Sequence, residues 1–172
     1  MKVICSACGI YLKDKPSEVG TENQVSHGLC DKCARHFRAQ AGIPIKEYLE
    51  NIEAPVVTIA PNVTISALNT KAIELLGKTI IDVQGELGGD VFECEYARLP
   101  EGCGQTIHCS GCTIRNTVTE TLKTGKPNKN VPAILNRFSE SGTEQIDLLI
   151  TTEKIGGVVF LKIDQISNAK SD

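Results

Sequence analysis

Eight cysteines constrain this chain of 172 residues more than any other feature, because they fall into two separate sets of four. The first set consists of Cys5, Cys8, Cys30 and Cys33. The second set consists of Cys94, Cys103, Cys109 and Cys112. Four thiolates are what a tetrahedral zinc site or an iron–sulfur cluster requires. The sequence therefore predicts two thiolate sites, one in each part of the chain.

The first set has the spacing of a structural zinc site. Two C-x-x-C pairs are separated by 21 residues, which are mostly polar and cannot form a core of their own. Two such turns can close a tetrahedron around one ion, and the ion then supplies the missing stability. We therefore expect zinc here, in a small module similar to a zinc ribbon or treble clef. Redox catalysis by these thiols is the alternative.

The second set has a less regular spacing, and three interpretations remain open. Only Cys109 and Cys112 form a C-x-x-C pair, while Gly102, Gly104 and Gly111 allow the backbone to approach a bound group closely. An iron–sulfur cluster and a zinc ion both fit four thiolates. A reversible pair of disulfides is the third interpretation. The sequence alone does not separate zinc from iron–sulfur at this site.

Composition and charge argue against several classes of function. The net charge is −3, without a basic stripe, so we expect no nucleic-acid partner. No apolar run is long enough to span a bilayer, and the first residues do not resemble a secretory signal. We therefore expect no membrane association and a cytoplasmic location, where thiols stay reduced. No catalytic motif is evident, so we predict that the protein is not an enzyme.

The hydrophobic pattern predicts an α+β architecture after the first cysteine set. Apolar residues at helical spacing come first, then two strands, several short helices, a longer helix and three strands. This order predicts a five-stranded antiparallel sheet with helices on one face. The expected segments are a zinc module at 1–41, a linker helix at 42–53, a domain at 54–167 with a cysteine loop at 94–112, and a polar tail at 168–172.

The second domain resembles a PAS domain. The stretch "VVTIAPNVTISALNTKAIELLGKTIIDVQGELGGDVF" carries the two opening strands, then Asn69 before a helix that ends at Leu76 and Gly77, then Gly85. The closing "LLITTEKIGGVVFLKIDQIS" is similar to the last two PAS strands, with Asp164 near the usual terminal motif. The resemblance covers residues 46–167 and implies the PAS fold.

The middle stretch, "CEYARLPEGCGQTIHCSGCTIRNTVTETLKTG", resembles a cysteine-bearing variety of PAS domain found in bacterial signalling proteins. In that variety the cysteine loop replaces a ligand-binding helix. The "VSHGLCDKC" segment is similar to a small cysteine module that often accompanies bacterial sensor domains. These resemblances imply sensing of a ligand, a gas or redox state, dimerisation through the preceding helix, and a small-molecule ligand in the PAS pocket.

Three functional hypotheses follow for the whole chain. The first is a sensory module whose second cysteine set reports redox or ligand state to a partner protein, in a homodimer. The second is a scaffold or adaptor in which both metal sites are purely structural. The third is a thiol oxidoreductase that uses Cys109 and Cys112, although no thioredoxin-like pattern surrounds them.

Overall fold

The computed structural model describes residues 2–5, 8–14, 25–28 and 45–168. The chain divides into two compact units, Met1–Ile45 and Lys46–Asp172. None of the helices in the described ranges is long and apolar enough to cross a membrane.

The N-terminal unit contains a small three-stranded sheet. Its strands are β1 (Lys2–Cys5), β2 (Tyr11–Asp14) and β3 (Val25–Gly28), with β1 central, antiparallel to β2 and parallel to β3. Between β1 and β2, the Cys5 amide donates to the Ile10 carbonyl and the Gly9 amide donates to the Cys5 carbonyl, each at 2.8 Å. This turn contains Cys8, whereas Cys30 and Cys33 lie outside the described residues.

The C-terminal unit is built on the predicted five-stranded antiparallel sheet. The strands are β4 (Val56–Ile59), β5 (Ile65–Leu68), β6 (Asn128–Ser139), β7 (Gly142–Ile155) and β8 (Val158–Asn168). Their order across the sheet is β5-β4-β8-β7-β6, and every neighbouring pair is antiparallel. The prediction of two opening and three closing strands is confirmed.

Local sequence explains where these strands begin and end. Along β7, Ile146, Leu148 and Ile150 are buried, and the residues between them are more exposed, which is the alternation of a strand with one face on a core. Gly156 and Gly157 join β7 to β8 and both have positive φ, at 55° and 89°. A two-residue hairpin turn with positive φ at both positions matches the natural strand twist.

Five α-helices accompany the sheet, with 3₁₀ turns at Glu95–Arg98 and Ile107–Gly111. They are α1 (Ile45–Glu50), α2 (Thr70–Leu76), α3 (Ile80–Val83), α4 (Gly88–Val91) and α5 (Thr113–Thr124). Gly77 ends α2 and Gly125 ends α5 in the left-handed conformation, with φ of 64° and 71°. Glycine adopts this conformation without steric cost, so both helix ends are encoded locally.

The main core lies between one face of the sheet and helices α2 to α5. Ala72, Val83, Val91 and Val118, one from each helix, pack in the same buried cluster as strand residues such as Leu161. The sequence predicted that the helices pack on one face of the sheet, and α2 to α5 do so.

Helix α1 packs on the opposite face of the sheet. Its Leu49 is fully buried against Val56, Ile155 and Phe160, and the Tyr48 ring meets the Phe160 ring edge-to-face at 5.8 Å between centroids. Val56 and Phe160 alternate along their strands with residues of the main core, so their side chains point to the other face. The expectation that all helices share one face is therefore wrong for α1.

Candidate functional site

A cavity of about 950 Å³ lies between the sheet and the helical segments of the C-terminal unit. Leu135, Leu148 and Leu161 form part of its sheet wall, and Ile114 and Val118 of α5 line another side. The second cysteine set supplies four further lining residues, Cys94, Cys103, Cys109 and Cys112. The fold thus brings all four predicted ligands to one cavity, although 18 positions separate the first from the last.

Cys94 and Cys112 each lie at the start of a helical segment. Cys94 precedes the 3₁₀ turn Glu95–Arg98, where the Ala97 amide donates to the Cys94 carbonyl at 3.0 Å and the nearby amides of Tyr96 and Ala97 act to lower the pKa of the thiol. Cys112 is the N-cap of α5, where its Sγ accepts a hydrogen bond from the Arg115 amide at 3.5 Å. The first amides of a helix have no partner within the helix, so they are available to a sulfur at the cap.

Cys103 contacts the backbone of α4. The Gly89 amide donates a hydrogen bond to Cys103 Sγ at 3.3 Å. Gly88 and Gly89 both belong to α4. Gly89 also lines the cavity.

Cys109 is the most enclosed of the four, with 8% of its surface exposed. Its Sγ accepts a hydrogen bond from the Gly104 amide at 3.1 Å and lies 3.2 Å from the Thr106 hydroxyl. Gly104 has a φ of +85°, a conformation that allows its amide to turn toward the sulfur. Gly104 therefore brings backbone close to a thiol, as the sequence suggested for the glycines of this loop.

The surroundings move the thiol pKa values in different directions. Burial raises the pKa of Cys94 and Cys103, and hydrogen bonds from backbone amides only partly oppose it. Burial also acts to raise the pKa of Cys109, but there the Thr106 hydroxyl, the Gly104 amide and the nearby Arg115 charge outweigh it. The net result is a lowered pKa for Cys109. None of the four thiols is in a disulfide.

The donor chemistry fits a thiolate-bound group, because three of the four sulfurs, those of Cys103, Cys109 and Cys112, accept a hydrogen bond from a backbone amide. Such bonds stabilise negative charge on sulfur. Within the ranges that the structure describes, however, no group of three or more His, Cys, Asp or Glu side chains is placed to hold a metal ion. Sulfurs of a tetrahedral zinc site lie only about 3.8 Å apart. The four thiols therefore surround a common space rather than a single point.

Two aromatic side chains close the cavity beside the cysteines. Tyr96 and His108 stack with ring centroids 4.1 Å apart and an interplanar angle of 14°. The Asn136 amide donates to the Tyr96 hydroxyl at 3.2 Å. His108 is exposed and also lines the cavity. No local sequence pattern predicts this stack, because the two residues come from separate 3₁₀ turns.

The comparisons with known proteins concern the fold. No protein-family model matches the chain, and no curated protein matches it. Among solved structures, a LOV protein from Rhodobacter sphaeroides is similar with a TM-score of 0.49 and 11% identity, over 81% of this chain and 69% of that one. A quorum-sensing receptor PAS domain from Cronobacter turicensis has a TM-score of 0.43 and 12% identity, over 70% of this chain and 97% of that one.

A third similar structure is the PAS domain of an HTR-like protein from Haloarcula marismortui, with a TM-score of 0.41 and 14% identity, over 76% of this chain and 98% of that one. At TM-scores below 0.5, these similarities assign no activity or ligand to this chain.

Proposed function

We propose that residues 46–168 form a redox-sensing domain in which Cys94, Cys103, Cys109 and Cys112 bind an iron–sulfur cluster. The observation that carries the proposal is that all four cysteines line one cavity and that three of their sulfurs, those of Cys103, Cys109 and Cys112, accept an amide hydrogen bond. An iron–sulfur cluster supplies one-electron redox chemistry, with a potential that depends on hydrogen bonds to sulfur and on solvent exposure.

The distribution of the thiols favours a cluster over a single zinc ion at this site. A zinc ion needs sulfurs gathered around one point, and no three of the described ligand-type side chains are placed in that way. A cluster separates its ligand sulfurs by the width of its own iron and sulfide core. The volume of about 950 Å³ also exceeds what four converging thiols need, so space remains for a small apolar molecule on the sheet wall.

Helix α5 supports a route by which the site could act on a partner protein. Cys112 begins α5, and near the other end Thr121 Oγ1 lies 2.8 Å from Thr152 Oγ1 of β7. Lys154 of β7 also donates to the Leu122 carbonyl at 2.6 Å. A change at the cysteines can therefore reach β7 through one helix, as local chemistry that biases a larger element.

Strand β7 ends where α1 packs on the sheet. Ile155 of β7 contacts the buried cluster around Leu49. We propose that α1 is the element that meets a partner, either a second copy of this chain or an output protein. In this proposal the protein is a cytoplasmic sensor without catalytic activity of its own.

The N-terminal cysteines complete the proposal as a structural zinc site. Cys5 ends β1 and Cys8 lies in the following turn, where Gly9 has a φ of +73°. That turn supports the expected arrangement of a C-x-x-C pair facing one ion. Cys30 and Cys33 would supply the other two thiolates.

The test is the metal and sulfide content of protein purified without oxygen. We expect roughly two to four iron atoms per chain with equal sulfide, a brown absorption spectrum, and about one zinc. Cys109→Ser should lose the iron and keep the zinc. Ser110→Ala is the matched control and should keep both, because among the described residues the Ser110 hydroxyl donates a hydrogen bond to the Ile107 carbonyl and none to a cysteine.

Two outcomes would overturn this proposal. Two zinc ions per chain without sulfide would favour the scaffold hypothesis, in which the second site is structural. Reduction of insulin by the metal-free protein and a dithiol, abolished in Cys109→Ser, would favour a thiol oxidoreductase.

A further inference from the structure

We infer that Gly89 is a positioning residue for the cysteine site, because its backbone fixes Cys94 and Cys103 relative to each other. This inference rests on the proposed function and adds a residue that is not itself a thiol. The Gly89 amide donates to Cys103 Sγ at 3.3 Å, and the Gly89 carbonyl accepts from the Cys94 amide at 2.8 Å. One peptide segment therefore contacts two of the four proposed ligands, which are nine positions apart in sequence.

No side chain fits at this position. A Cβ atom on Gly89 would lie 2.7 Å from Cys103 Sγ, 2.9 Å from Cys103 Cβ and 3.0 Å from Ala97 Cβ. Ordinary van der Waals contact begins near 3.4 Å, so the sulfur would have to move by about 0.7 Å. The constraint comes from this contact and not from backbone conformation, because Gly89 does not have a positive φ.

The backbone of α4 is held in place, so the sulfur is the group that must yield. Lys78 Nζ donates to the Asp90 and Val91 carbonyls at 3.1 and 3.0 Å and lies 3.3 Å from the Glu93 carboxylate. Val91 itself is only 2% exposed and belongs to the main core. A methyl group at position 89 would consequently push Cys103 away from the cavity and lengthen the hydrogen bond to its sulfur.

Gly88 provides a matched control, because it lies next to Gly89 in the same helix and a Cβ built on it meets no atom within 4 Å. Gly88→Ala and Gly89→Ala make the same chemical change in the same helix, and both replace glycine by a better helix former. We expect Gly88→Ala to bind iron and sulfide as the parent protein does. We expect Gly89→Ala to bind iron at least about tenfold more weakly, the usual effect of losing a group that supports a metal ligand.

Thiol accessibility gives a measurement that does not depend on the metal. In metal-free, reduced protein, mass spectrometry after partial alkylation should show Cys103 reacting several times faster in Gly89→Ala than in Gly88→Ala. Cys109, whose hydrogen bonds come from Gly104 and Thr106, should react at the same rate in both. Equal iron binding and equal Cys103 alkylation in the two variants would overturn the inference.

A second variant keeps the inference testable if Gly89→Ala fails to fold. Cys103→Ala removes the acceptor of the Gly89 amide and adds no atoms. Hydrogen exchange by NMR should then be faster at the Gly89 amide and unchanged at the Gly88 amide, and an unchanged Gly89 amide would overturn the inference. Absence of iron from the parent protein would instead contradict the proposed function while leaving this contact measurable.

Discussion

Asn69 offers the sharpest test of how the C-terminal unit is held together. Its side chain is fully buried, and its Oδ1 accepts hydrogen bonds from the amides of Val56 and Ala72, each at 3.0 Å. Its Nδ2 donates to three carbonyl oxygens, those of Leu49, Ile52 and Ala54, at 3.2, 3.4 and 2.9 Å. A single amide group thus joins the end of α1 to strand β4 and to the first turn of α2.

The cost of Asn69→Ala can be worked out from these bonds. Loss of the N-cap of α2 costs about 0.5–2 kcal/mol. The buried Val56 amide loses its acceptor, which costs about 1–3 kcal/mol more. We therefore expect the free energy of unfolding to fall by about 2–4 kcal/mol, because the contributions overlap in one small region.

Urea denaturation followed by circular dichroism measures this change directly. Asn62→Ala is the control, since its Oδ1 accepts hydrogen bonds from the amide and hydroxyl of Thr64 in an exposed turn, and it should change the unfolding free energy by less than about 0.5 kcal/mol. Hydrogen exchange should also increase around Leu49 in Asn69→Ala before the rest of the unit is affected. A loss below about 1 kcal/mol would refute the reasoning that Asn69 holds three elements together.

Three further predictions concern single contacts. Thr152→Val removes the buried hydroxyl that pairs with Thr121 and should lower the unfolding free energy by about 0.5–1.5 kcal/mol in urea denaturation. Leu49→Ala should lower the unfolding free energy by about 2–5 kcal/mol in the same assay, because the Leu49 side chain is fully buried between α1 and the sheet. The backbone amide and hydroxyl of Thr79 hold the pKa of Asp82 below its usual value of 3.8. The ionised Asp82 side chain therefore stabilises the folded protein fully at pH values above 3.8. That effect is lost as pH falls through the lower folded pKa, and Asp82→Asn should abolish this part of the acid profile.

Local signals explain why so much of the fold follows from the sequence. Asn69 before an apolar-periodic run and Gly77 after it delimit α2, and both act as caps in the structure. The alternation of apolar residues in β7 and the Gly156–Gly157 pair likewise define a hairpin. Each of these features depends on residues close together in sequence, where propensity and periodicity are informative.

The parts that the sequence did not predict depend on contacts between distant residues. The side of the sheet that α1 covers is decided by which face Val56 and Phe160 present, and the helical pattern of α1 fits either face. Gly89 meets Cys103 only because α4 and the cysteine loop fold against each other, 14 positions apart. A pair of glycines in the sequence does not predict which sulfur one of them will contact.

Helix α5 allows a last prediction, about how far a change at the cysteines travels. Its first turn depends on Cys112, whose sulfur accepts the Arg115 amide, so a change in that sulfur alters the cap of the helix. A cap is worth about 1 kcal/mol, which corresponds to roughly fivefold faster amide exchange when it is lost. The last turn is held instead by hydrogen bonds between the helix and β7, through Thr121 on the helix and Lys154 on the strand. These bonds do not involve the cysteines.

Hydrogen exchange of metal-loaded and metal-free reduced protein should therefore differ along α5. We expect roughly fivefold faster exchange around Arg115 in the metal-free protein and little change around Thr121. Equal exchange at both ends would mean that the cysteine site does not act on α5, and the proposed route to β7 would be wrong. Faster exchange along the whole helix would mean that the contacts of Thr121 and Lys154 are weaker than their distances of 2.8 and 2.6 Å indicate. The signal would then pass into β7 by release of the helix and not by its displacement.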